Sequence, residues 1–166
     1  MKITTIAFSL LSLLALPVLL AAQGPSPADL ALASLPPWAA QALSDPVVKG
    51  RVVLHLGTNP FFISGDFDGD NRVDVAIAVR AEGSGKRGIL FVSRARRPIV
   101  LGAGLNSIGN GGDDLSWLDV WRPEEIPAGK LPAARSRFVI HVEKLESASA
   151  WIYWDGQRFR WHQLGD

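Results

Sequence analysis

Asp66-Phe67-Asp68-Gly69-Asp70-Asn71-Arg72-Val73-Asp74-Val75-Ala76-Ile77-Ala78-Val79-Arg80 carries both the fold class and the candidate chemistry of this chain. Its second half alternates: Val73, Val75, Ile77 and Val79 stand against Asp74, Ala76, Ala78 and Arg80, the period of a strand. Its first part puts carboxylates at relative positions 1, 3, 5 and 9. Like charges so close together repel unless something positive sits among them. A hard divalent cation takes oxygen ligands from alternate residues of a tight loop, and calcium accepts about six to eight of them. The stretch therefore predicts a calcium loop opening into a strand. Asp66, Asp68 and Asp70 are expected to converge, the Arg72 carbonyl to face them, and Asp74 to close the site at its rim.

Outward from that loop the period stays at two. Val52 to Leu56, Phe61 to Ser64, Ile89 to Ser93, Ile99 to Leu101, Phe138 to Lys144, Ala148 to Trp154 and Arg158 to His162 read as strands. Ile89-Leu90-Phe91-Val92 is apolar on both faces, which places it centrally in a sheet. Glu82 to Lys86 is turn chemistry between partner strands, Gly102 to Gly112 is a glycine-rich loop, and Leu115 to Trp121 fits either a helical turn or a strand. Asp155-Gly156 is a two-residue hairpin signal that would set Ile152 opposite Phe159. One face of that hairpin then carries Ala150, Ile152, Trp154, Phe159 and Trp161. The other carries Trp151, Tyr153, Arg158, Arg160 and His162. The expected fold is mainly β: an antiparallel meander sheet, or a partly closed barrel or sandwich, with a short N-terminal helical arm.

The first 22 residues have the layout of a signal peptide: Lys2, then an uncharged stretch from Ile3 broken at Pro17 and ending in Ala21-Ala22. An uncleaved anchor is the alternative, since ~20 apolar residues can just span a bilayer. Residues 23–50 read as a helical arm or linker. Ser26 caps a first helix that has Pro27 in its first turn, and a second piece starts at Pro37, whose Trp38 could latch it to the body. Residues 51–166 then form a single β-rich domain with the calcium loop at 66–74. The expected localisation is secreted or periplasmic, with no stable membrane insertion once the leader is cleaved.

Composition narrows the function. The chain has 166 residues, 48% of them hydrophobic, with six Trp and seven Phe, enough for one well-packed domain. A formal net charge of +1 gives no general pull toward nucleic acid. The absence of cysteine removes disulfides, thiolate metal sites and a cysteine nucleophile.

The run GDFDGDNRVDVAIAV resembles the FG-GAP or VCBS-type motif, D-x-D-x-D-G-x-x-D, of integrin-alpha-like β-propeller blades. The resemblance implies Asp66, Asp68, Asp70 and Asp74 as calcium ligands, with the Arg72 backbone as a fifth. Asn71 stands where the motif has glycine. One copy of the motif is too few for a propeller of at least about four blades, so the resemblance covers a local site. The chain is also similar to small bacterial secreted proteins with one such loop and a YWDGxxFRW ending.

Other groups carry weaker chemistry. Asp113, Asp114 and Asp119 follow a glycine turn and read as capping carboxylates, with a second cation as the alternative. His55, His141 and His162 sit in strand patterns without zinc spacing or a nucleophile elbow. Arg87, Arg94, Arg96 and Arg97 read as a solvated edge. The expected function is a non-catalytic, calcium-stabilised binding or structural domain, monomeric, with an unknown protein or glycan partner. The alternatives are a secreted hydrolase using a His/Asp site, and a sugar- or wall-binding module using Trp151 and Tyr153.

Overall fold

The computed structural model describes residues 24–165, so the leader expected over residues 1–22 lies outside the described residues. Two antiparallel sheets face each other across a shared core. The first sheet contains β1 (Val52–Leu54), β2 (Phe62–Gly65), β3 (Asp74–Ala81), β4 (Arg87–Val92) and β5 (Ile99–Gly102). The second is a meander of β6 (Val120–Glu125), β7 (Phe138–Lys144), β8 (Ala148–Trp154) and β9 (Phe159–Gly165). The molecule is a mainly β sandwich, neither a closed barrel nor a propeller.

β3 organises the first sheet. One edge of it pairs with β2 over Asp74 to Ile77 and with β1 over Val79 to Ala81, while the other pairs with β4. Both of its faces are buried, which accounts for its unbroken small and branched apolar run. Ala76 and Ala78 face the second sheet, and their cross-strand partners are Phe91 and Ile89. Small residues opposite large ones let Phe91 reach across to Phe159, with ring centroids 4.7 Å apart.

Val75, Ile77 and Val79 point the other way, toward a helical cover. That cover is α1 (Pro27–Ser34), α2 (Pro37–Gln41) and a 3₁₀ turn over Ala42–Ser44. Ser26 caps α1 in a reciprocal capping box with Asp29. Leu35, Ala39, Ala42 and Val48 are buried against the sheet, and the Arg94 guanidinium lies 4.6 Å from the Trp38 ring centre. The arm is thus an outer layer of the domain. No helix among the described residues is long and apolar enough to cross a membrane.

One sequence expectation needs correction, and one left open is resolved. The β8–β9 turn is not the two-residue Asp155-Gly156 apex. Trp154 pairs with Phe159, and Ile152 opposes Trp161 rather than Phe159. The Asp155 carboxylate accepts the amides of Gln157 and Arg158, which fixes a four-residue turn. Because the shift is two residues, every side chain keeps its expected face: Ile152, Trp154 and Phe159 are buried and Trp161 half-buried. The ambiguous segment resolves into both options, a turn in which the Leu118 amide bonds to the Leu115 carbonyl, then β6. β6 contains Pro123, which a strand tolerates because β6 is an edge of its sheet.

Candidate metal centre

Gly65 pairs with Asp74, so residues 66–73 form the loop of the β2–β3 hairpin. Phe67, almost fully buried, pins the loop into the core. Gly69 and Asn71 take the left-handed backbone expected of them, at φ 79° and 62°. At Gly69 a side chain would have no room, since a Cβ there would lie 2.5 Å from the Arg135 carbonyl oxygen. The loop is therefore pressed against the β6–β7 connection, and Ser136 Oγ donates to the Asp66 carbonyl.

The carboxylates are held by this backbone. Asp66 accepts the amides of Gly69, Asp70 and Asn71, and Asp74 Oδ2 accepts those of Phe67 and Asp68 at 2.9 and 3.2 Å. Asp68 Oδ2 accepts from Ser93 Oγ at 3.0 Å and pairs with Arg96 Nε at 2.8 Å. One oxygen from each of Asp66, Asp68 and Asp74 lies within 4.8 Å of the others, a group that could hold a metal ion. Asp74 Oδ1 is buried with no hydrogen-bond partner. Burial, and then the charge of Asp68, push the Asp74 carboxyl up to about 7.

This arrangement differs from the sequence expectation in two ways. Asp74 is the innermost carboxylate, not the rim, because it already belongs to β3 and points beneath the loop. Asp70 stands outside the three-carboxylate group, and its Oδ1 accepts the Arg72 amide at 2.8 Å. Ser93 and Arg96 were not foreseen as parts of the site. Arg96 also lies 4.5 Å from the Trp154 ring centre, so it joins the loop to β8. Nothing in the spacing of the Arg94–Arg97 run singles it out.

The other candidate groups are spent on the fold. Asp113 pairs with Lys86 Nζ at 2.7 Å, Asp114 accepts from the Arg87 and Ser116 amides and from Ser116 Oγ, and Asp119 accepts the Leu145 amide. The Ser116 hydroxyl, followed by those amides, holds Asp114 below the usual carboxylate range. His141 Nδ1 lies 2.6 Å from Glu124, and His162 stacks on Trp151. His55 is lowered by burial, then by the charges of Arg87 and Arg80. None of the three histidines joins the carboxylate group. Trp151 is buried with Ile126 and Val139, and Tyr153, Leu131 and Ala134 pack beside them, so that face is a second packed layer.

No family model matches the chain, and neither curated proteins nor solved structures give a match.

Proposed function

We propose that this protein is a secreted or periplasmic, non-catalytic domain whose two sheets are fastened together by a calcium ion at the β2–β3 loop. The observation that carries the proposal is Asp74 Oδ1, a buried carboxylate oxygen without a partner beside the oxygens of Asp66 and Asp68. An unpartnered buried carboxylate is costly unless something positive meets it. When a bound cation keeps all three carboxylates ionised, they and the one guanidinium leave two negative charges, which suits a divalent ion. An all-oxygen donor set suits a hard cation such as calcium. Asp66, Asp68 and Asp74 would hold it, and the motif resemblance adds Asp70 and the Arg72 carbonyl.

The position of the loop supports a fastening role over a chemical one. Gly69 abuts residue 135, Ser136 bonds to Asp66, and Arg96 links Asp68 to Trp154, so the loop touches three separated parts of the chain. Each carboxylate of the group is already held by main-chain amides or by Arg96, which suits a fixed cradle for a cation. The test is thermal unfolding of the full chain in millimolar calcium and in chelator. The melting temperature should be higher with calcium, and Asp68→Ala should remove the difference. Equal melting temperatures for the unaltered protein would defeat the proposal.

A further inference from the structure

Beside β7, β8 and β9, remote in sequence from the acidic loop, lies a cleft of about 310 Å³. Trp117, Trp161, Asn110, Lys144, Ser149 and Gln163 line it, with Ala148 among them. The two indoles meet edge to face, with centroids 5.9 Å apart and an interplanar angle of 79°. We propose that this cleft is a saccharide-binding site that prefers a sugar unit carrying a carboxylate.

The indoles are fixed in place by the chain around them. Trp117 Nε1 donates to the Gly111 carbonyl at 3.1 Å, and Trp161 Nε1 donates to Gln163 Oε1 at 2.9 Å. Gln163 is itself tied through its amide nitrogen to the carbonyls of Ser149 and Gly165. The glycine run serves the same end. A Cβ on Gly109 or Gly111 would come within 2.4 or 2.6 Å of the Trp161 side chain, so only bare backbone can lie against that ring. With both N–H groups satisfied internally, the half-buried rings offer the cleft their carbon surfaces. A rigid aromatic corner of this kind loses little entropy when a ligand arrives.

The remaining chemistry selects the ligand. An indole face is electron-rich and attracts weakly positive C–H bonds, such as those on the flat side of a pyranose ring. Asn110 and Ser149 supply an exposed amide and a half-buried hydroxyl for ring hydroxyls. A few polar groups on an apolar wall, in a volume near the lower end of ligand pockets (~300–1,000 Å³), are what a small ligand needs. Lys144 is the one charged residue in the lining. It falls on the inner face of β7 with Ile140 and Val142, whereas Glu143 falls on the opposite face and pairs with Arg122. Lys144 has no ion-pair partner among the described residues. A lysine without an ion-pair partner in the lining disfavours a cationic ligand and favours a carboxylate.

The inference stands apart from the cation at the acidic loop, and its test needs no calcium. A β-1,4-linked glucuronic-acid tetrasaccharide and cellotetraose differ only in carrying carboxylates in place of hydroxymethyl groups, so they form a matched pair of probes. Each is titrated into the full chain in chelator while the tryptophan indole N–H resonances are followed. The acidic sugar should shift the Trp117 and Trp161 signals and bind about tenfold more tightly than the neutral one, on the order of 1.4 kcal/mol. Lys144→Gln, an exposed substitution, should abolish the preference, bringing the two affinities together. Trp117→Ala should remove binding of both. The proposal is overturned if neither sugar moves these resonances at millimolar concentration, or if both bind equally with no effect of Lys144→Gln.

Discussion

Two groups of three carboxylates lie on this chain, and they behave as opposites. Asp113, Asp114 and Asp119 follow a glycine turn and are each met by the protein itself: a lysine, a serine hydroxyl, or main-chain amides. Asp66, Asp68 and Asp74 come from nine consecutive residues, the β2–β3 loop and the first residue of β3, and converge, leaving one buried oxygen unmet. Clustering of acids in sequence therefore says little alone. What separates the groups is whether the fold supplies a donor for every carboxylate oxygen it buries.

The strongest way to break this comparison is to remove the innermost carboxylate. Asp74→Ala strands the buried amides of Phe67 and Asp68. The cost should be roughly 2–6 kcal/mol at about 1–3 for each unmet amide, read by urea unfolding. Asp74→Asn keeps an acceptor for both amides, so in chelator it should be nearly as stable as the parent yet gain nothing from calcium.

Next in size is the ion itself. At a hundredfold excess over Kd, calcium should add about 2.7 kcal/mol to the unfolding free energy of the parent protein. No such gain should survive in Asp68→Ala, whereas Asp113→Asn should retain all of it. A loss in the latter would mean that the second group also binds cations.

Acidity should separate the groups by sign. The folded-state pKa of Asp74 is raised to about 7, so the folded protein holds a proton there that the unfolded chain releases near 4. In chelator its contribution is fully present below about 4 and is lost as pH rises toward 7. Asp114 is lowered, so its contribution is present above about 4 and lost as pH falls further. Urea midpoints measured across pH in chelator should show both slopes, and Asp74→Asn should flatten only the upper one.

The smallest expected effect belongs to the exposed pair of the second group. Lys86→Gln should cost no more than ~1 kcal/mol, shrinking in salt, with no dependence on calcium.

Much of this was legible in the sequence because it rests on period and spacing. The alternation after Asp74 and the apolar run at Ile89 to Val92 gave a central strand pair. What escaped depended on choices made by single side chains. Asp155 captured two amides and lengthened its turn, moving the register while sparing the faces. Pro123 obscured β6, since edge position is a property of the finished sheet. In the acidic loop, spacing gathered the right residues but not their depth. Asp74 sits lowest because its pairing with Gly65 begins β3 beneath the turn. Arg96 entered through space alone, 28 residues from Asp68 along the chain.

That link from Asp68 through Arg96 to Trp154 bears on the order in which the molecule assembles. Each sheet is built mostly from strands adjacent in sequence, whose hairpins close over short loops. The junction between the sheets joins segments far apart in the chain, and it can form only when both sheets are in place. Contacts made late are absent from the folding transition state, so strengthening them slows escape from the native state and barely alters the approach to it. An ion bound at the acidic loop should lower the unfolding rate and leave the folding rate nearly unchanged. In denaturant-jump kinetics calcium should displace the unfolding limb alone, making the loop a latch against opening rather than a nucleus for folding.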